Sequence, residues 1–275
     1  MYREYYAELT QEQVDQYLKR LKVERKEPTK EYLDELIFAH QCEVAFEVLD
    51  ISEHHRCVSL KVQDLFDKVV TRRRGGYCYE LNGLFVLLLR GLGFDAMFSP
   101  CRIMREDTPY PNAVHHRGNV IRIGDKQYFC DVGCGGPMPP AAVELAHGVR
   151  QVMRGETFWT EQFNEHWWTL RRITKGDTEI PLGMPKPEDD IVREVPVMRF
   201  STVPWENIDF LDVSNVSCGP GSPFNRRLVN LRRPNGYIAI TENLLTVVED
   251  GVRTRRTIEE EEFQHIVREV LQLDY

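Results

Sequence analysis

A chain of 275 residues, 42% hydrophobic and 28% charged, is long enough to bury a core without metals or disulfides. Its net charge of −8 argues against a nucleic-acid partner, and no apolar run approaches the ~20 residues that cross a bilayer. The opening Met1-Tyr-Arg-Glu-Tyr-Tyr lacks the apolar centre of a secretory signal, and seven scattered cysteines without a Cys-x-x-Cys pair read as reduced thiols, so a cytoplasmic, membrane-free protein is expected.

The first ~90 residues read as helical. Thr10-x-x-Gln13 is a capping signature for a helix through Leu21, and Thr29 opens another to about residue 46, with Leu33, Leu36, Ile37, His40 and Val44 at three- and four-residue spacing. His40, on the apolar face of that helix, reads as a core histidine. Val62, Leu65, Phe66 and Val69 mark a short helix that Gly75-Gly76 breaks, and a strong helix runs from about Tyr77 to Arg90, closed by Gly91 and Gly93.

From Phe94 the pattern turns to strands. Ala96–Ile103 alternates, and Asn119–Ile123 and Gln127–Val132 flank a Gly124-Asp125 turn, a hairpin signature. Trp167–Ile173 and Gly176–Pro181 continue the strand and turn material, with Trp167-Trp168 read as barrel core. Residues 183–196 hold three prolines and read as an exposed connection. Two strands, Tyr237–Thr241 and Leu244–Glu249, precede a final helix. For that helix Thr257-x-x-Glu260 predicts a capping box, and Phe263, Ile266, Val267 and Val270 predict one apolar face.

Cys78 lies in the first turn of a predicted helix, directly after Arg72-Arg73-Arg74-Gly-Gly-Tyr. Free backbone N–H groups, the positive helix end and three arginines all favour a thiolate there, which makes Cys78 a candidate nucleophile. A nucleophile needs a base and a group to orient it. With Gly124-Asp125 as a two-residue turn, Ile123 pairs with Lys126, Gly118 lies opposite Asp131 and His116 opposite Gly133. His116 and Asp131 then become diagonal neighbours on one face, within side-chain reach. His115, the alternative base, faces the other side by alternation. Cys130 and Cys134, four apart and near His115 and His116, raise the question of zinc. No second ligand pair at a usual spacing accompanies them, so no metal is expected.

At these residues the sequence resembles the arylamine N-acetyltransferase family. Arg74-Gly-Gly-Tyr-Cys-Tyr-Glu-Leu-Asn-Gly83 is similar to that family's nucleophile motif almost position for position. His116 and Asp131 match the spacing of its His and Asp, and Asp131-Val-Gly-Cys-Gly-Gly136 resembles the motif that follows. The likeness extends from His40 to the C-terminal helix. It implies an α+β fold in three consecutive parts with a papain- or transglutaminase-like Cys-His-Asp core: a helical bundle over 1–93 carrying the nucleophile, a β-barrel over 94–195 carrying His and Asp, and an α/β lid over 196–275. The implied reaction is ping-pong transfer of an acetyl or other acyl group from acyl-CoA through Cys78 to an arylamine, hydrazine or N-hydroxyarylamine. His116 would act as base, with Asp131 holding its ring and the Cys78 N–H in the oxyanion hole. By motif position Phe46, Tyr77 and His115 would contact the amine, and Gly135, Gly136 and Arg73 the CoA.

Four departures from the family pattern fall around the pockets: Ala45-Phe46-Glu47-Val48, Arg117-Gly118-Asn119, Cys134 in place of a common Phe, and Cys218-Gly-Pro-Gly221. They leave acyl donor and acceptor open. A biosynthetic amide synthase or a transglutaminase-like hydrolase would use the same three residues, and nothing in the sequence fixes the oligomeric state.

Overall fold

The computed structural model describes residues 2–104, 113–136, 138–175 and 192–274. Gly176–Pro181, Pro137 and most of the expected connection lie outside these residues. Helix α1, Gln11–Leu21, begins with the reciprocal cap expected of Thr10 and Gln13 and buries Val14, Tyr17, Leu18 and Leu21. Helix α2, Lys30–Glu43, opens on the Thr29 hydroxyl but stops short of residue 46. There the backbone turns extended, and Phe46–Glu47 leaves as a two-residue strand, β1. Hydrogen bonds in both directions between the 45–47 backbone and Gly76 explain the early exit. Gly75 permits this approach, since a Cβ there would sit 2.1 Å from the Ala45 carbonyl oxygen.

Helices α3, Leu49–Ser52, and α4, Val62–Phe66, are short, and α4 widens into a π turn over Asp67–Thr71. Helix α5, Cys78–Gly91, is the central one: every residue from Cys78 to Leu89 is buried. A helix buried all round needs partners on every side, and α5 packs against α1, α4 and the first two barrel strands.

Eight antiparallel strands form the barrel sheet. In chain order they are β2 (Asp95–Ile103), β3 (His116–Ile123), β4 (Lys126–Cys130), β5 (Val143–Glu144), β6 (Gln151–Met153), β7 (Glu156–Gln162), β8 (Trp167–Lys175) and β9 (Val192–Ser201). Their spatial order is β5-β4-β3-β2-β9-β8-β7-β6. A bridge between His147 and Thr160 nearly closes the sheet. The expected hairpin register is present, from Ile123 opposite Lys126 to Asn119 opposite Cys130. Inside, Phe129 stacks on Phe200 with ring centroids 4.1 Å apart, among Cys101, Val120, Phe158, Leu170 and Met198. Trp168 is only partly buried against this core. Strand β9 occupies positions 192–201, so the segment read as an exposed connection ends in sheet, and the barrel continues past residue 195.

Beyond the barrel, helix α6, Leu211–Cys218, leads to β10 (Leu228–Arg233), β11 (Gly236–Thr241), β12 (Leu244–Glu249) and β13 (Val252–Thr257). These four strands and β1 make a second antiparallel sheet, with β1 on the outer edge of β10. The expected Thr257 capping box is replaced: β13 runs through Thr257, and α7, Glu260–His265, starts without a side-chain cap. A π turn over Ile266–Val270 then adds a residue to the last turn. The extra residue rotates Val270 outward, leaving it 40% exposed, and brings Leu271 and Leu273 into the core instead. Among the described residues no helix is long and apolar enough to cross a membrane.

Candidate active site

Cys78 opens α5, and β3 and the end of β4 bring His116 and Asp131 to it. All three are nearly sealed, at 3%, 2% and 0% exposure. His116 Nε2 lies 2.5 Å from Asp131 Oδ2, and the Cys78 side chain acts electrostatically on the same imidazole. Burial opposes a charged His116. The Asp131 carboxylate and Cys78 override it and hold the imidazole well above its usual range. The ring is therefore held between a carboxylate that fixes its orientation and the Cys78 side chain.

Asp131 is itself clamped. Its Oδ1 accepts from Asn82 Nδ2 and from the Gly133 N–H, each at 2.8 Å. Asn82 Nδ2 also donates to the Arg117 carbonyl at 2.6 Å, and its Oδ1 accepts from the Val132 N–H at 2.9 Å. Asn82 thus binds α5 to β3 and to the segment that follows β4. Its role was missed in the sequence, although it stands four residues after Cys78 and so on the same helix face. Gln41 adds a further tie from α2 to the Asp131 carbonyl, at 3.0 Å. Gly133 lets the loop press on the helix start, because a Cβ there would lie 3.0 Å from the Cys78 Cα.

A buried ion network supports the first turn of α5. Lys68 Nζ lies 2.8 Å from Glu80 and 2.6 Å from Asp50, while Arg74 reaches Glu47 at 2.9 Å and Asp50 at 3.3 Å. Glu80 also accepts from the Tyr77 N–H at 3.1 Å, which fixes the residue before Cys78. Burial pushes the Glu80 carboxyl up to about 7; Lys68 pulls against it, and Glu47 and Asp50 push with it. Arg117 does not enter the pocket. It is fully buried, lies over Phe98 at 4.0 Å and Phe210 at 4.5 Å, and donates to the Tyr79 carbonyl, while burial lowers it to about 9.

The other expected contacts divide. Phe46, Cys134 and Gly136 line a cleft of about 580 Å³ between α2, the barrel and the second sheet. Gly135 packs on the Phe46 ring. Tyr77, expected at the amine, is fully buried, with its hydroxyl 2.6 Å from Ser214 Oγ on α6. Arg73, expected at the CoA, is exposed and does not border this cleft. His115 is half-buried, with Nδ1 2.6 Å from the Ala113 carbonyl. His40 is a core histidine: Tyr17 holds its Nε2 at 2.8 Å and burial lowers it to about 3.

Five arginines border the same cleft: Arg154, Arg172, Arg232, Arg233 and Arg253. Its two acids are engaged, Asp131 with His116 and Glu156 with Arg232 at 2.9 Å, so the cleft carries a positive excess. These arginines come from four separate strands or turns, and no local motif announces them. Of the two cysteines weighed for zinc, Cys130 is wholly buried, whereas Cys134 is half-buried on the cleft wall. Burial raises the Cys134 thiol to about 12.

A sequence model of the family described as N-acetyltransferase matches residues 29–275. The chain is similar to an arylamine N-acetyltransferase of Mycolicibacterium smegmatis, 33% identical over 216 residues, covering 76% of this chain and 72% of that one. It is also 35% identical over 153 residues to an arylamine N-acetyltransferase / N-hydroxyarylamine O-acetyltransferase of Salmonella typhimurium. That match covers 52% of this chain and spans about half the length of the relative, 54%. Among solved structures, Mycobacterium marinum arylamine N-acetyltransferase in complex with CoA superposes with a TM-score of 0.81 at 25% identity, covering 95% of this chain and 93% of that one.

Proposed function

The chain belongs to the arylamine N-acetyltransferase family, and from that premise we propose that it moves an acetyl or other acyl group from coenzyme A, through a thioester on Cys78, to an arylamine, hydrazine or N-hydroxyarylamine. The observation that carries this reading is the buried relay from Asp131 through His116 to a cysteine at a helix start. The Cys78 sulfur, its proton held by His116, attacks the thioester carbonyl, and the electron pair moves onto the carbonyl oxygen. The Cys78 backbone N–H donates to that oxygen. Collapse expels the CoA sulfur, which takes the proton from His116 and leaves acyl-Cys78.

An amine then attacks the new thioester, His116 accepts its proton, and a second collapse releases the amide and the Cys78 sulfur. Asp131 holds the ring for both proton transfers. The near-complete burial of all three groups limits water at the thioester and favours transfer over hydrolysis. The arginine-rich cleft suits the CoA phosphates, with Gly135 and Gly136 flanking the passage toward Cys78. Phe46 offers the aromatic wall for an arylamine. Free thiols, Cys78 and Cys134 among them, suit a reducing compartment such as the cytoplasm.

Mass spectrometry of the protein mixed with acetyl-CoA alone, followed by peptide mapping, tests the reading. The expected result is one acetyl group on Cys78 that persists without acceptor and disappears when an arylamine is added. Loss of the adduct in buffer alone would make water the acceptor and the protein a hydrolase. No adduct with acetyl-CoA or with any of a panel of acyl-CoA donors would overturn the mechanism.

A further inference from the structure

We infer that Arg117 is a positioning residue of the proposed reaction, a buried cation that favours the thiolate of Cys78. The sequence pointed instead to Arg72, Arg73 and Arg74 for that charge. In the fold Arg72 and Arg73 are exposed, and Arg74 is neutralised by Glu47 and Asp50. Arg117 is 0% exposed, and among the described residues no Asp or Glu acts on its charge.

The guanidinium is fixed against the start of α5. Its Nη1 donates to the Tyr79 carbonyl at 3.1 Å and to Asn207 Oδ1 at 2.9 Å. Gly83 makes room for it on the helix, since a Cβ there would meet Nη1 at 2.8 Å. Phe98 and Phe210 cover the guanidinium with their rings, and among the described residues its Nε and Nη2 find no hydrogen-bond partner. Tyr79 directly follows Cys78, so backbone geometry keeps the bonded Nη1 within about 10 Å of the Cys78 Cα. Across a sealed interior, charges at that range are screened far less than in water.

Burial lowers Arg117 to about 9, which still leaves it charged at neutral pH. Three side chains act on it besides: Cys78 most strongly, favouring the charge, then Arg90, opposing it, and Tyr79. Burial drives the Tyr79 hydroxyl far above its usual range, so it stays neutral. Cys78 is therefore the group of the three whose anion can offset the buried cation. The effect is mutual, because an anion that stabilises a cation is stabilised by it. Cys78 is also influenced by Tyr77, by Tyr79 on α5, by His116 with Asp131 behind it, and by Cys134. All of these are retained in the variants that test Arg117.

The benefit to catalysis rests on the acyl-transfer reading, whereas the charge effect does not. The test is the ultraviolet absorption of the Cys78 thiolate, taken as the difference from Cys78→Ala and followed against pH without any acyl donor. Cys78 and His116 interact, so the apparent midpoint belongs to the pair. Arg117→Met is neutral and fills the site, and it should raise that midpoint by at least ~1 pH unit. Acylation by acetyl-CoA near neutral pH should then slow roughly tenfold and recover as pH rises. Asn207→Asp leaves an oxygen for Arg117 but makes it a carboxylate, and should raise the midpoint as well. Asn207→Ala removes the bond and leaves the charge, so its midpoint should stay with wild type.

An unmoved midpoint in Arg117→Met would overturn the proposal, as would an equal rise in Asn207→Ala, which marks a packing effect. Should Arg117→Met fail to fold, Asn207→Asp decides by the same reading. A raised midpoint in these variants with no acyl-Cys78 formed by wild type would sink the transfer reading and leave the charge effect standing.

Discussion

Glu80→Gln isolates the ion network beneath the nucleophile turn. Glu80 is 1% exposed, and its carboxyl is raised from 4.5 to about 7, first by burial. A carboxyl that binds its proton more tightly when folded stabilises the fold fully below the unfolded value and loses that stabilisation as pH rises through the folded one. Between pH 4.5 and about 7 the loss amounts to about 3 kcal/mol, at 1.36 kcal/mol per pH unit of difference. Lys68, also raised, stays outside this window, because its contribution is lost only as pH climbs past the ordinary lysine value of 10.5. Glutamine keeps an oxygen to accept from the Tyr77 N–H and carries no charge at any pH. The unfolding free energy of wild type minus that of Glu80→Gln, from urea titrations at half-unit steps over pH 4–8, should therefore fall by about 3 kcal/mol across the window. A difference that stays flat with pH would refute the account of Glu80.

Three further outcomes follow from the site. Asn82→Ala strips partners from the Arg117 carbonyl and the Val132 N–H and one donor from Asp131; it should cost on the order of 3 kcal/mol in denaturant unfolding and slow acylation of Cys78, and a loss under 1 kcal/mol would remove Asn82 as the tie. Gly133→Ala forces a Cβ against the Cys78 Cα and should reduce acylation at least ~10-fold at a cost of about 1–3 kcal/mol, checked by pre-steady-state kinetics beside thermal unfolding. In Asp131→Asn the side chain can present an amide N–H to His116 and favour the wrong tautomer, so acyl transfer should drop roughly 10³–10⁴-fold; a wild-type rate would take Asp131 out of the relay.

What could be read in the sequence was set by local chemistry. The Thr10 cap, the start of α5 at Cys78 and the β3–β4 register each depend on residues within a few positions, and all are found in place. Strand β1 escaped notice because two residues, Phe46 and Glu47, make no pattern by themselves, and their partners are Gly76 and the distant β10. The last helix misled for a different reason: its three- and four-residue spacing presumes an α turn, and the π turn at Ile266–Val270 breaks that phase. The arginine cleft and the convergence of Cys134 on His116 are products of tertiary assembly, to which neither periodicity nor motif spacing is sensitive.

The β1–β10 pairing also orders events in time. As the chain leaves the ribosome, residues 1–93 can gather their helices early, yet the free edge at Phe46–Glu47 waits for Asn230 and Val229, which emerge only after the whole barrel. Glu47 is the partner that steadies Arg74, four residues before the nucleophile. The mounting of Cys78 is therefore completed only once β10 has been made, and its thiol stays poorly organised until that strand is present to pair with β1.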